Sequence, residues 1–211
     1  MANMCYNTIV FYQEDEKNDR LKLLMEDLEK YVDYQDSESE GYIGKLFEAK
    51  GIDVGNMNTR AFISYLEDFS DHIHMELESA WRPMPSIHEK IAEMYDLKQV
   101  YMAEEPGYKI YVNTDVEGSY FEVRYFFSCS KKDIDKINWE NKDISVYKNV
   151  SNELLYEDGY FEDFEDLMKH FKGFNVEFDT LEGLNSFLSK FGLKAFEYES
   201  DDSCYKDEEA A

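Results

Sequence analysis

Two histidines with acidic neighbours are the residues of this sequence best suited to bind a metal ion. His72 and His74 alternate with apolar residues, and Glu76 and Glu78 continue the alternation. In a strand every second side chain lies on the same face, and zinc accepts imidazole and carboxylate ligands. The same pattern is typical of a polar strand face in contact with water. We therefore keep a divalent-metal-binding protein or metal-dependent hydrolase using His72 and His74 as the alternative hypothesis, because a third ligand is not specified.

Other catalytic chemistry has little support in the sequence. No GxSxG, P-loop or GxGxxG motif occurs, so the common nucleophile and phosphate-binding patterns are missing. The three cysteines, Cys5, Cys129 and Cys204, are too widely spaced for a disulfide framework or a CxxC metal knuckle. We predict a non-enzymatic protein with no catalytic residue, no cofactor and structural thiols.

The net charge limits the class of partner. The chain has 211 residues, with 47 Asp and Glu against 22 Lys and Arg, giving a formal charge of -25. Direct binding to nucleic acid or to an anionic membrane requires an excess of cations, so neither is expected. Hydrophobic residues make up 43% and aromatic residues 16% of the chain, which indicates a folded protein. Because no apolar run is long enough to span a bilayer and no leader pattern opens the sequence, we expect a cytoplasmic protein.

Hydrophobic periodicity predicts an α+β fold for residues 1–130. Strand-like and helix-like runs follow one another, with a long loop insertion at 34–58. In order, we predict a strand at 5–12, a helix at 19–33, strands at 61–66 and 72–81, a helix at 86–96, a strand at 97–102, and a hairpin formed by 108–113 and 119–129. Ser86 and Glu89 are spaced as a capping box for the second helix. The order predicts a ferredoxin-like split βαβ antiparallel sheet with two helices on one face.

The remaining chain is expected to form a linker at 131–150 and an acidic C-terminal subdomain at 151–211. Residues 151–211 hold 17 acidic and 5 basic residues, whereas residues 1–150 hold 30 and 17. Two amphipathic helices are predicted, one around 161–171 and one opening at Thr180, with a frayed tail from Asp201 to Ala211.

Three short motifs resemble a known family. They are Asn3-x-Cys5-x-Asn7, Ser79-Ala80-Trp81-x-Pro83, and Tyr95-x-Leu97 leading to Glu104-Glu105-Pro106-Gly107. Over residues 1–130 the chain resembles the YubB-like ferredoxin-like domain proteins encoded by plasmids and phages. The resemblance implies a ferredoxin-like fold without an iron-sulfur cluster, a structural role for the motif residues, and carriage on a mobile element in a bacterial cytoplasm. It implies no settled activity. The chain departs from the family at Met4, where tryptophan is usual, and in the regions 34–58 and beyond 150.

These observations together favour a protein-binding function. We expect an accessory factor of a phage or mobile element that inhibits a basic, nucleic-acid-binding host defence protein, of nuclease, CRISPR or restriction type, by presenting an acidic surface that mimics nucleic acid. The residues predicted to bind the partner are Glu157, Asp158, Phe161, Glu162, Asp163, Phe164, Glu165 and Asp166. A homo-oligomer that assembles through an edge strand is a further hypothesis.

Overall fold

The chain folds into two compact units. The structure, a computed structural model, describes residues 3–14, 19–32, 41–145, 159–171, 176–203 and 205. The first unit comprises Met1–Phe121 together with Glu199–Ala211, and the second comprises Glu122–Tyr198. Within the described residues, no helix is long and apolar enough to cross a membrane.

The first unit is built on a five-stranded antiparallel sheet with the strand order β2-β3-β1-β4-β5. The strands are β1 (Met4–Tyr12), β2 (Ala61–Asp68), β3 (His72–Ala80), β4 (Lys98–Glu105) and β5 (Ile110–Asn113). The helices are α1 (Arg20–Tyr31), α2 (Gly44–Lys50) and α3 (Pro85–Tyr95). The predicted mixed α+β class is therefore confirmed.

Alternation along the strands separates a core face from a polar face. In β1 the side chains of Ile9 and Phe11 are fully buried, and they join one core with Leu24 of α1 and Ile91 of α3. The intervening side chains of the central strands lie on the opposite side of the sheet. We call this side the polar face; it carries Tyr6, Thr8, Glu76, Glu78 and Glu104.

Two local details differ from the sequence prediction. Helix α3 begins at Pro85, with Met84 as N-cap and no capping side chain, so Ser86 lies inside the first turn. Proline suits this position because its fixed φ matches the helix and its missing N–H needs no partner. The region expected to be a long loop contains α2, because Leu46 and Phe47 are buried in the first core; residues 34–40 lie outside the described part.

The expected hairpin strand at 119–129 is interrupted by a turn. The carboxylate Oδ2 of buried Asp115 accepts hydrogen bonds from the backbone N–H groups of Tyr120, at 2.6 Å, and Phe121, at 2.9 Å. These N–H groups are therefore not available to pair with β5. The later part of the segment forms β6 (Tyr125–Phe127), which pairs in a different sheet.

The second unit contains a three-stranded sheet with the order β7-β6-β8. Its other elements are α4 (Lys131–Lys136), α5 (Lys142–Ser145), β7 (Gly159–Phe161), α6 (Phe164–His170), α7 (Leu181–Leu188), the 3-10 turn Ser189–Phe191 and β8 (Ala195–Glu197). Phe127, Leu167 and Phe187 belong to its core. The two predicted amphipathic helices correspond to α6 and α7.

The unit boundaries differ from the expected domains. The segment predicted as a linker at 131–150 is structured over 131–145, since Ile137 and Ile144 are buried in the second core and Ser130 forms a capping box with Asp133. The second unit therefore starts at Glu122 and not after residue 150. Most of the expected tail lies outside the described residues; within the described part, the backbone of Glu199 bonds to that of Tyr111 and of Asn113 in the first unit.

Candidate functional site at the end of the first sheet

The residues of the first two sequence motifs meet through the buried side chain of Asn7. Its Nδ2 donates to the Ser79 hydroxyl at 3.1 Å, to the carbonyl of Leu77 at 3.3 Å and to that of Cys5 at 3.2 Å. Its Oδ1 accepts from the N–H of Met84 at 3.4 Å. Asn7 therefore joins β1, the end of β3 and the segment that leads into α3.

The third motif forms the turn between β4 and β5. The carboxylate of buried Glu105 accepts hydrogen bonds from the backbone N–H groups of Gly107 and Tyr108. Gly107 lies so close to Asn3 that a Cβ at this position would be 2.0 Å from the amide nitrogen of that side chain. A larger residue at this position would have to displace the Asn3 side chain, so glycine suits the close packing of this turn against the start of β1.

Trp81 has an unusual backbone conformation at the same end of the sheet. Its φ is 76°, in the left-handed region that tryptophan rarely adopts. Its N–H donates to the carbonyl of Asn3 at 2.9 Å, and its ring lies 6.0 Å from that of Tyr108. Both rings are exposed, Trp81 at 45% and Tyr108 at 63%. The motif residues thus hold two aromatic side chains at the surface.

A cleft of about 910 Å³ opens beside these rings. Its walls include Trp81, Tyr108 and the arginines Arg60 and Arg82, with Glu78 on the side of the polar face. The volume lies within the range of roughly 300–1,000 Å³ that is typical of small-molecule sites. We call this feature the sheet-end cleft.

The polar face continues from the cleft as a row of carboxylates around an exposed tyrosine. Tyr6 of β1 lies opposite Glu78 of β3 and Glu104 of β4, and the neighbouring Thr8 lies opposite Glu76. Residues paired across antiparallel strands point to the same side of the sheet. Tyr6 is 54% exposed. An acidic and aromatic surface is therefore formed by three neighbouring strands.

His72 and His74 have aromatic neighbours and no set of three metal ligands. The His72 ring stacks on Phe69 at 4.6 Å, and its Nδ1 lies 2.8 Å from a carboxylate oxygen of Asp71. The His74 ring contacts Tyr65 edge-on, at 5.7 Å between centroids. Across the described residues, no group of three His, Cys, Asp or Glu side chains is arranged to hold a metal ion. The geometry therefore gives the alternative metal hypothesis no support.

Three of the acidic residues predicted to bind a partner in the second unit have local structural roles. Asp163 caps α6 by accepting from the N–H of Asp166 at 2.8 Å, and Lys169 lies 2.7 Å from Asp166 and 3.6 Å from Glu165. Acidic residues in a first helical turn also interact favourably with the helix dipole. Glu162 is exposed, whereas Glu157 and Asp158 lie outside the described residues.

The two phenylalanines expected to act as partner anchors are partly buried and pack against the second core. Phe161 lies 5.4 Å from His170, and Phe164 lies 5.9 Å from Tyr125, between ring centroids. Hydrophobic periodicity indicates that a residue packs, but it does not distinguish packing in the protein's own core from packing against a partner.

The unit boundaries also change where the negative charge lies. The first unit holds 31 acidic and 12 basic residues, a charge of -19, while the second holds 16 and 10, a charge of -6. The residues from 199 onward belong to the first unit and bring six carboxylates with them. The unit that contains the cleft and the polar face is therefore the more acidic one.

Burial suppresses the reactivity of the motif cysteine. Desolvation raises the pKa of the Cys5 thiol to about 12, and the carboxylates of Glu105 and Glu104 contribute in the same direction. Since the thiolate is the nucleophilic form, Cys5 has a structural role in the core.

Comparisons with protein families, with characterised proteins and with solved structures find no match to this chain. The site is therefore defined by its geometry alone. Sequence reasoning singled out Trp81 but missed Arg60, Arg82 and Tyr108 as its neighbours. The position of the arginines was the available signal in the sequence. Arginine occurs only four times in the chain, and two of the four flank the β2-β3 hairpin, one before β2 and one after β3.

Proposed function

We propose that this chain is a non-enzymatic protein-binding factor whose polar face occupies the basic, nucleic-acid-binding surface of a partner protein. The observation that carries the proposal is the row Glu78, Tyr6 and Glu104, with Glu76 beside it, in a unit of charge -19. The proposed surface therefore differs from the C-terminal helices that the charge distribution along the sequence favoured.

The spacing of these carboxylates suits a cationic partner. Glu78 and Glu104 lie on the strands either side of β1, so their backbones are about 10 Å apart, two interstrand spacings. The exposed ring of Tyr6 between them supplies contact area of the kind that interface centres use. The net charge of the unit would accelerate encounter with a basic surface, and this acceleration would weaken with added salt.

The same surface is unsuitable for nucleic acid itself. Sheets that bind RNA stack bases on exposed aromatic side chains and bind phosphates with Lys and Arg. Here carboxylates flank Tyr6, so a phosphate backbone laid across the row would be repelled. A protein that normally binds nucleic acid is the complementary partner.

We further propose a ferredoxin-like first unit related to the YubB-like proteins of mobile elements. The strand order β2-β3-β1-β4 with antiparallel neighbours, and the helices α1 and α3 that follow β1 and β3, support this assignment. Strand β5 extends the sheet by one strand. A phage or plasmid origin would place the partner among the nucleic-acid-binding defence proteins of a bacterial host.

The test compares two charge-matched triple variants in affinity capture from host lysate. The polar-face variant loses three charges through Glu76→Gln, Glu78→Gln and Glu104→Gln. The second-unit variant loses three charges at exposed positions of the second unit, through Glu162→Gln, Glu165→Gln and Glu182→Gln. Circular dichroism and thermal unfolding would establish that both variants remain folded.

We expect the wild type and the second-unit variant to capture the same basic, nucleic-acid-binding protein, and the polar-face variant to lose it. The purified partner should lose its binding to labelled DNA when the wild type is added. Equal capture by all three proteins, loss only with the second-unit variant, or an unaltered DNA affinity would each contradict the proposal.

A further inference from the structure

We propose that the sheet-end cleft binds a nucleoside monophosphate, with its base stacked on Trp81 and its phosphate held by Arg60 and Arg82. This inference goes beyond the proposed protein-binding function and does not depend on it. It rests on the cations, the aromatic rings and the volume that meet at this one position of the first unit.

Arginine is enriched in the wall of the cleft relative to the composition of the chain. Arginine occurs four times in a chain of charge -25, and two of the four line this cleft. Their backbones are held in place: the N–H of Arg60 donates to Asn58 Oδ1 at 3.1 Å, and the carbonyl of Arg82 accepts from the Ser79 hydroxyl at 2.8 Å. A guanidinium presents paired donors that match the oxygens of a phosphate.

The aromatic wall is held at an energetic cost. Left-handed backbone is strained at a non-glycine residue, and such strain is concentrated at functional sites. At Trp81 the strained backbone accompanies an indole that remains 45% exposed and lies next to Tyr108. A nucleobase stacked on this exposed indole would contribute favourable binding free energy.

The surroundings favour a mononucleotide over a nucleic-acid strand. The cleft has the volume of a small-molecule site, and Glu78 in its wall is an acceptor for ribose hydroxyl groups. A strand that continued out of the cleft along the polar face would meet Glu76 and Glu104. The site therefore attracts one phosphate and repels a longer polyanion.

The experiment follows the fluorescence of Trp81 during titration with adenosine monophosphate. The chain has two tryptophans, and Trp139→Phe removes the other one, which lies in the second unit. Adenosine monophosphate should quench the remaining emission with a dissociation constant below about 1 mM, and calorimetry on the wild type should give the same constant.

The arginines are tested in the Trp139→Phe background with a matched control. Arg60→Gln and Arg82→Gln should each weaken binding roughly 10- to 100-fold, as expected for a lost charge-assisted hydrogen bond. Arg20→Gln makes the same change at a residue paired with Asp96, outside the residues lining the cleft, and should leave the affinity within about twofold of the parent.

Four results would overturn the proposal. These are no binding at millimolar nucleotide, equal affinity for adenosine without phosphate, equal weakening by Arg20→Gln, and tighter binding of argininamide than of the nucleotide. The last would indicate a site for a cationic side chain. Glu78 belongs both to the wall of the cleft and to the polar face, so the polar-face triple variant alters both sites. A double variant, with Glu76→Gln and Glu104→Gln, separates the two proposals. It should keep nucleotide binding while losing the protein partner.

Discussion

The buried imidazole of His88 should make the stability of the first unit depend on pH in mildly acidic solution. His88 lies on α3 with no exposed surface, its ring is 4.8 Å from that of Tyr101, and neither ring nitrogen has a hydrogen-bond partner within the described structure. Desolvation lowers its pKa from 6.5 to about 3. The folded protein therefore holds this imidazole neutral where the unfolded chain protonates it.

The direction and the size of the change in unfolding free energy follow from the difference between the folded and unfolded pKa values of His88. Below pH 6.5 the unfolded state binds a proton that the folded state does not, so stability falls as the pH falls toward 3. Each tenfold difference in proton affinity corresponds to about 1.4 kcal/mol, so a protein at pH 4 should have lost about 3 kcal/mol of unfolding free energy through this one residue. Above pH 7 the residue contributes no pH dependence.

Substitution by leucine isolates the effect. His88→Leu keeps a side chain of similar volume and removes two unsatisfied nitrogens, so at pH 7 it should raise the unfolding free energy by about 1–2 kcal/mol. Its advantage over the wild type should increase by about 3 kcal/mol between pH 7 and pH 4.

Urea unfolding at several pH values measures this difference directly. The carboxylates contribute equally to the pH dependence of the two proteins, so their contribution cancels in the difference between the two unfolding free energies. Ile91→Val, another change on the buried side of α3, removes no titrating group and is the control; it should lower the unfolding free energy by the same amount at every pH. If the unfolding free energies of His88→Leu and wild type remain parallel from pH 7 to pH 4, the folded protein accommodates the charged imidazole and the reasoning is wrong.

Three further predictions concern the packing of the first unit. Asn7→Leu should lower the unfolding free energy by about 2–4 kcal/mol in urea titrations, because it leaves the Ser79 hydroxyl and two buried carbonyls without their donor; an unchanged midpoint would contradict the network. Burial by itself would raise the pKa of Asp115, but backbone N–H donors, led by Tyr120, outweigh it and hold the pKa below its usual range. Asp115→Asn should therefore cost about 1–2 kcal/mol at pH 7, a cost that disappears as the pH falls through the lowered pKa. Cys5 should resist thiol reagents in the folded protein and react in urea, as followed by mass spectrometry of the labelled peptide; rapid labelling without urea would contradict its burial.

Local periodicity was sufficient to predict most elements of the first unit. Alternation in β1 and β3 and the three-to-four spacing of Leu21, Leu24 and Leu28 in α1 are determined by burial against one shared core. These patterns are local consequences of that core. The class and order of the elements were therefore accessible from sequence.

The turn at Asp115 and the sheet-end cleft were not accessible in the same way. An acceptor at Asp115 looks like any other loop carboxylate until the chain folds back to bring the N–H of Phe121 to it. Arg60 and Tyr108 are 48 positions apart in the sequence and line one cleft only through strand register. The cleft depends on nonlocal strand pairing and the Asp115 turn on a local side-chain acceptor, and hydrophobic periodicity specifies neither.

The distribution of charge between the two units also depends on where the chain is divided. A division at residue 150 counts the last thirteen residues with the C-terminal helices, but the N–H of Glu199 donates to the carbonyl of Tyr111 at 2.9 Å and its carbonyl accepts from Asn113 at 2.8 Å. The backbone thus returns to the first unit and brings acidic residues with it. The carboxylates that pair across the polar face, Glu76, Glu78 and Glu104, all belong to the first unit. Exposed charges act mainly on groups within about 8 Å at physiological salt, so a partner bound to this row should respond to substitutions in the row itself. The second unit contributes no residue to the row, which is why its exposed glutamates are the charge-matched control for the polar-face variants.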